Sequence, residues 1–315
     1  QVVQLNFVGY DEQAHRRGPN SKFAFWSLKG IDYAIKRIWQ SAKESKQREY
    51  DIWIYSDHGQ EEVTSYTKLY GKTVEEAIQE VLKDSQTTSS SSTTAGVQYS
   101  RARWLSQRKA GQSKSSPPSS LKSHSEKTKI VIGGPIGHIY GLDTMNKEEL
   151  LDTAKQLVEQ AKIPLIIVPT DTETATAVTS EGEFLLPREG AKVFGESHSY
   201  FKEISEDMVT LINCPLSGSL VFFGWSKNTA PLTYPTENGA HAGPGKDETK
   251  AFILLPKENA ESLKSSYSVI RPMSLRNEAL KFLGREAPVK EDSNVSKNKL
   301  RIATYNVRSC MGLDK

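Results

Sequence analysis

Long apolar runs are absent from this 315-residue sequence, and none approaches the ~18 consecutive apolar residues of a transmembrane helix. We therefore predict no membrane-spanning segment in this chain. Cysteine is also scarce, since Cys214 and Cys310 are too few for a disulfide framework or a cysteine-rich metal site. The composition that remains, 37% apolar and 25% charged residues, is typical of a globular protein.

The net charge of +3 is unevenly distributed along the chain. Residues 85–129 contain eight basic residues and one acidic residue, so this serine-rich stretch carries +7 and the rest of the chain carries −4. Serine runs such as residues 89–92 cannot bury a core, and we predict a disordered insertion over residues 85–128. Because the basic charge belongs to this insertion, we expect no nucleic-acid binding by the folded domain.

Strand-like apolar runs alternate with helical patterns over most of the chain. Runs rich in β-branched and aromatic residues predict strands at residues 2–10, 50–55, 129–132, 163–168, 219–223 and 251–255. Apolar residues at helical spacing predict helices at about residues 20–42, behind a Thr73/Glu76 capping box, over 147–161 and up to Gly284. This alternation predicts an α/β fold with helices on both faces of a sheet.

Aspartate and histidine residues follow two of the predicted strands and recur in a late loop. Asp11 and His15 lie four residues apart, so they share one face if this turn is helical. Asp57 and His58 follow the second strand, and His241 lies in a glycine-rich loop. Each signal alone is also typical of a surface or capping role. Together they favour a hydrolytic zinc or manganese site at the carboxyl edge of the sheet.

Three segments resemble motifs of the type I phosphodiesterase/nucleotide pyrophosphatase family, a branch of the alkaline phosphatase superfamily. Residues 10–19 (YDEQAHRRGP) are similar to its D-x-x-x-H-x-x-G-P motif, and residues 56–61 (SDHGQE) to its S-D-H-G motif. Residues 239–243 (GAHAG) resemble a late G-x-H-G motif, with Ala242 where glycine is commoner. The resemblance implies a three-layer α/β/α sandwich with a mainly parallel central sheet over residues 1–285.

The resemblance implies two neighbouring zinc ions in a site that hydrolyses phosphodiesters or phosphomonoesters of small molecules or nucleotides. Asp11, His15 and His241 would bind one ion, and Asp57 and His58 the other. The family places its Thr or Ser nucleophile and one further Asp ligand before the first motif. No Ser or Thr of this sequence stands in a matching context, so we expect a fragment that lacks the nucleophile and holds an incomplete two-zinc site.

The end of the chain carries a second resemblance. After a polar linker at residues 286–299, the run LRIATYNV resembles the first strand of the endonuclease/exonuclease/phosphatase (DNase-I-like) superfamily. The resemblance implies that Asn306 helps to organise a phosphate site with Mg²⁺ or Mn²⁺. We therefore expect residues 300–315 to be the start of a truncated second domain.

Two alternatives to phosphoric ester hydrolysis stay open at this point. A sulfatase- or mutase-like member of the superfamily would use the same metal scaffold. A non-catalytic metal-binding module is the alternative outside enzymes, and the missing nucleophile motivates it. The motifs leave the natural substrate open, and an extracytoplasmic or membrane-associated localisation is suggested by the resemblance alone.

Overall fold

The computed structural model describes residues 2–82, 88–91 and 128–285, which form two compact units. The larger unit is formed by the described residues within 10–27 and 58–250, and the smaller by residues 2–9, 28–57 and 251–285. Several predicted features lie outside the described residues, namely the linker, the truncated second domain with Asn306, and residues 85–87 and 92–127 of the serine-rich segment.

Nine helices and thirteen strands are found among the described residues. The helices are α1 Gly9–Arg17, α2 Lys22–Lys43, α3 Tyr66–Tyr70, α4 Val74–Leu82, α5 Lys147–Gln160, α6 Gly190–Phe194, α7 Phe201–Ile212, α8 Lys257–Ser266 and α9 Pro272–Phe282. The strands are β1 Ile54–Tyr55, β2 Glu61–Glu62, β3 Thr64–Ser65, β4 Thr88–Ser91, β5 Lys129–Gly133, β6 Ile136–Tyr140, β7 Leu165–Asp171, β8 Thr174–Thr179, β9 Gly182–Leu186, β10 Leu220–Phe223, β11 Leu232–Thr233, β12 Gly239–Ala240 and β13 Ile253–Leu254. Within this part of the chain, no helix is both long enough and apolar enough to cross a membrane.

The larger unit is organised around a seven-stranded sheet with the order β4-β5-β6-β10-β7-β8-β9. Only β4 and β5 pair in parallel, and the other five neighbouring pairs of this sheet are antiparallel. The expectation of a mainly parallel sheet is therefore wrong. The physical reason is that two residues separate β5 from β6, β7 from β8, and β8 from β9. A two-residue connection can join only antiparallel neighbours, because a parallel pair needs a long crossover.

Apolar side chains cover both faces of this sheet. In β7, Leu165 and Ile167 belong to one buried cluster, and Ile166 and Val168 to the other. This alternation follows from the strand geometry, in which successive side chains point to opposite faces. Helices α4 and α5 pack into the cluster that contains Ile166. Helices α6 and α7 pack into the cluster that contains Leu165. The expected α/β class with helices on both faces of a sheet is confirmed in this unit.

Two short strand pairs of the larger unit lie outside the main sheet. Strands β2 and β12 are antiparallel, with Glu62 opposite Gly239 and Glu61 opposite Ala240. Strands β3 and β11 are parallel. In the smaller unit, β1 and β13 form an antiparallel pair, and the Trp53 and Phe282 rings lie 6.1 Å apart. The β2–β12 pair matters most for function, because it joins two of the sequence motifs.

Two sequence expectations differ from the structure for the same physical reason. Residues 2–8 form neither helix nor strand, and Val2 and Val3 are 62% and 67% exposed, so the first predicted strand is wrong. Residues 88–91 form β4 beside β5, within the segment predicted to be disordered. A strand exists only where its backbone groups find a neighbour, and apolar content by itself does not supply one.

Candidate metal centre

Helix α1 presents Asp11 and His15 on one face. Asp11 lies in its first turn and His15 in its last, so the predicted helical spacing is confirmed. The Nε2 atom of His15 lies 3.3 Å from Oδ1 of Asp11. The amide Nε2 of Gln60 donates a hydrogen bond of 2.6 Å to the same carboxylate oxygen.

The β2–β12 pair brings the second and third motifs together. His58 precedes β2 by three residues, and His241 follows β12 directly. Because Ala240 pairs with Glu61, the two histidines meet at the same end of the pair. Their rings are stacked with centroids 3.6 Å apart and an angle of 20° between the planes.

Asp11, His58 and His241 converge on one point. A ligand atom from each lies within 4.8 Å of those from the other two, and all three residues are half-buried. The Nδ1 atom of His58 donates to the carbonyl of Gly59 at 2.7 Å, which leaves Nε2 as its ligand nitrogen. One carboxylate and two imidazoles are a donor set that suits zinc. The residues present therefore fit the metal that the sequence motifs imply.

His15 is the most buried histidine of this centre, with 8% of its surface exposed. Its Nδ1 atom lies 2.9 Å from Oε2 of Glu237 and 2.8 Å from the carbonyl oxygen of Gly239. Its Nε2 atom is buried and makes no hydrogen bond of its own, although it lies beside Asp11. A buried nitrogen beside a carboxylate in this way can take either a proton or a metal cation.

The charges at this centre control its protonation. Burial alone lowers the pKa of His15, but the carboxylates of Asp11 and Glu237 outweigh burial and raise it to about 10. Burial alone raises the pKa of Asp11. The neighbouring His15 and His241, with the Gln60 amide, outweigh that effect and hold the pKa of Asp11 below its ordinary value. A cation that replaces the His15 proton finds a carboxylate that is already ionised.

Close backbone contacts connect helix α1 to Asn238 and Gly239, at the start of the late motif. Asn238 donates through its backbone N–H to the His15 carbonyl at 2.8 Å and through its side chain to the Arg16 carbonyl at 2.7 Å. A side chain on Gly239 would place its Cβ 2.5 Å from the carbonyl oxygen of Ala14. Only glycine allows this approach, which carries the following His241 towards Asp11.

The loop that carries His241 is held by a buried acid. Glu248 is 5% exposed and accepts backbone N–H bonds of 2.7 Å from both Gly243 and Gly245. His198 donates through Nε2 to the Pro244 carbonyl at 3.0 Å. Ala242 has a φ of +86°, in the region that favours glycine. The loop therefore adopts a strained turn directly after its histidine.

A cavity of about 540 Å³ adjoins this centre. Gln60, which contacts Asp11, is one of the residues that line it. The other lining residues are Tyr10, Pro19, Asn20, Glu61, Glu62, Pro231 and Asp247. A cavity of this size accommodates a small molecule.

The observed grouping differs from the one that the motifs imply. Of the five predicted ligands, Asp11, His58 and His241 form the cluster, and His15 contacts Asp11 from one side. Asp57 belongs to the smaller unit. None of the three clustered residues follows a strand of the seven-stranded sheet, so the expected position at the carboxyl ends of its strands is wrong.

Sequence reasoning missed Glu237 and Gln60, both of which contact predicted ligands. A signal for each was present in the sequence. Glu237 lies four residues before His241 in the same late segment, and Gln60 directly follows the S-D-H-G motif. Their roles depend on contacts with α1, more than 40 positions away along the chain, and local patterns do not carry such contacts.

Comparison with known proteins gives one match. The family model for type I phosphodiesterase/nucleotide pyrophosphatase matches residues 1–196. The matched range includes Asp11, His15, Asp57 and His58, and it ends before His241. No curated protein and no solved structure matches the chain significantly.

Proposed function

The chain belongs to the type I phosphodiesterase/nucleotide pyrophosphatase family, and from this premise we propose that it serves zinc-dependent hydrolysis of phosphoric esters in small molecules or nucleotides. The observation that carries the proposal is the convergence of Asp11, His58 and His241 within 4.8 Å. Phosphodiesters are the first substrates to test, because the family is defined by their hydrolysis.

Each residue of the centre has a separate role. Asp11, His58 and His241 would hold a zinc ion, and Gln60 fixes the Asp11 carboxylate through its amide. Bound zinc supplies a Lewis acid that stabilises negative charge on phosphoryl oxygens and activates water. The adjoining cavity would receive an uncharged or cationic organic part of the ester, because Glu61, Glu62 and Asp247 among its lining residues are acidic.

A second zinc ion belongs to the same proposal. The motif pattern differs from the cluster at this point, because it assigns Asp57 and His58 to the second ion and gives the first ion His15 in place of His58, beside Asp11 and His241. The assignment of Asp57 rests on the S-D-H-G motif alone. The number of zinc ions bound per chain therefore tests this part separately from the first ion.

The test combines zinc binding with hydrolysis of bis(4-nitrophenyl) phosphate by the purified chain. We expect zinc to bind and to produce slow nitrophenol release above the rate of zinc in buffer. Asp11→Asn, His58→Ala and His241→Ala should each abolish this excess rate, because each removes a ligand from the cluster. The matched control is His138→Asn, which replaces a half-buried histidine that accepts a backbone bond from Gly218 outside the cluster.

Three results would contradict the proposal. A chain that binds no zinc in a calorimetric titration lacks the centre. A chain that binds zinc but releases nitrophenol no faster than its Asp11→Asn variant is a non-catalytic metal-binding module. Excess hydrolysis that survives all three ligand substitutions would assign the activity to another site.

A further inference from the structure

Glu237 is a buried acid with both carboxylate oxygens engaged. It is 8% exposed. Thr233 donates through Oγ1 to its Oε1 at 2.5 Å, and Nδ1 of His15 lies 2.9 Å from its Oε2. A buried carboxylate is costly unless it is paired in this way. None of the sequence motifs includes Glu237, so its pairing with His15 requires an explanation of its own.

The contacts of His15 require a proton on one of its ring nitrogens, whether the ring is neutral or charged. Its Nδ1 atom faces a carboxylate oxygen and the carbonyl oxygen of Gly239. A backbone carbonyl can only accept, so Nδ1 must be the donor. The other ring nitrogen, Nε2, lies 3.3 Å from Oδ1 of Asp11, on the opposite side of the ring from Glu237. The ring is therefore oriented with Nε2 towards the metal centre.

We propose that Glu237 is a positioning residue of the metal centre. It holds the Nδ1–H of His15, which fixes the ring so that Nε2 is directed at the carboxylate of Asp11, one of the proposed zinc ligands. Thr233 in turn holds the second oxygen of Glu237. A carboxylate behind a ligating histidine raises the basicity of that ligand and restricts its orientation. The zinc component of this inference rests on the proposed function.

The experiment uses two substitutions of Glu237 that differ in whether the new side chain can accept a hydrogen bond from His15. Glu237→Gln keeps an oxygen that can accept from His15, because the Thr233 hydroxyl can accept from the new amide. Glu237→Leu removes the charged acceptor, leaves the Gly239 carbonyl as the acceptor that remains for Nδ1–H, and preserves most of the volume. Zinc affinity of the folded protein is measured by competition with a chromophoric chelator. The Nδ1–H proton resonance of His15 is recorded in the metal-free protein.

We expect Glu237→Leu to weaken zinc binding by about 10- to 100-fold, the usual effect of losing an outer-shell partner. Glu237→Gln should retain most of the affinity. The downfield Nδ1–H resonance should persist in the wild type and in Glu237→Gln, and should move upfield or be lost to exchange in Glu237→Leu. A control, Glu278→Leu, removes a buried acid from the smaller unit and should leave zinc affinity unchanged.

The outcomes separate this inference from the proposed function. If the wild type binds no zinc, the proposed function fails, and the Nδ1–H resonance alone decides the role of Glu237. An unchanged resonance in Glu237→Leu, or a zinc affinity equal to that of the wild type, would overturn the inference. If Glu237→Leu does not fold, Thr233→Val takes its place. It should weaken zinc binding by a smaller factor, and an unchanged affinity would again overturn the inference.

Discussion

The seven-stranded sheet and the metal centre belong to the same unit, but they depend on different interactions. The sheet is stabilised by two clusters of buried apolar side chains, and its strands pair along their length. The residues of the centre lie on or beside α1 and two strands of two residues each. Contacts between a few acids, histidines and amides stabilise it. Apolar packing is additive over many contacts, whereas each polar contact of the centre has a specific partner. Substitutions should therefore separate stability from metal binding.

The largest effect on stability is expected in the sheet. Phe222 is fully buried, and its ring packs beside Gly137 and 5.0 Å from the ring of Tyr234. Phe222→Ala should lower the free energy of unfolding by about 3–5 kcal/mol, because it leaves a cavity. Urea denaturation measures the change. Zinc affinity of the molecules that remain folded should change little.

A surface position supplies the control for this prediction. Leu216 is 83% exposed, so Leu216→Ala should change stability by less than about 0.5 kcal/mol. A loss of stability in Phe222→Ala as small as that of the control would show that the sheet does not depend on this cluster. A large loss of zinc affinity in folded Phe222→Ala would show that sheet and centre are coupled.

An intermediate effect is expected where a buried acid holds the His241 loop. Glu248→Ala leaves the N–H groups of Gly243 and Gly245 without their acceptor. We expect a loss of about 1–3 kcal/mol in the free energy of unfolding, together with weaker zinc binding. Calorimetric melting and zinc titration measure the two effects. Zinc binding equal to the wild type would mean that the loop does not position His241.

The raised pKa of Glu248 leads us to expect that the stability of the protein depends on pH. Burial raises the pKa of Glu248 from 4.5 to about 7, against the opposing effect of its two backbone hydrogen bonds. A raised pKa means that the folded state binds the proton more tightly than the unfolded state. The stabilisation of the folded state by protonated Glu248 is complete below pH 4.5, and it is lost as the pH rises through about 7. Wild type should therefore lose stability relative to Glu248→Gln over this interval, and parallel profiles would contradict the assignment.

The smallest effect is expected at the strained turn after His241. Ala242 has a φ of +86°, so Ala242→Gly should stabilise the protein by up to about 1 kcal/mol as the strain is relieved. The matched control is Ala240→Gly, two residues earlier in buried β12, which should cost about 0.5–1 kcal/mol. Equal losses in both variants would show that position 242 is not strained.

Local patterns predicted some of the regular elements, but not β6, β8, β9 or α7. The apolar spacing predicted α2 and α5, and the Thr73/Glu76 capping box is present with both of its hydrogen bonds. The apolar runs predicted β5, β7 and β10, with bounds shifted by a few residues. These elements are determined by interactions between residues close in sequence and by burial on a known face. The helical relation of Asp11 and His15 was predictable for the same reason.

Long-range features were not predictable in this way. The direction of strand pairing depended on the two-residue hairpins, whose turns were not recognised as such from the sequence. The partner of His15 was also missed, because Glu237 lies 222 positions away along the chain. The residues around Glu237 in the sequence show no pattern that would indicate its contact with His15.

The sequence by itself determined the α/β class, the positions of several helices and strands, and the motifs that place the chain in its family. Those properties follow from spacing and residue type, which act over a few positions. Tertiary structure alone decided that Asp11, His58 and His241 form one cluster and that Glu237 lies behind His15. The pairing of β2 with β12 and the close approach at Gly239 bring these residues together. Such contacts form only when distant segments pack, because hydrogen-bond partners are chosen by position in space.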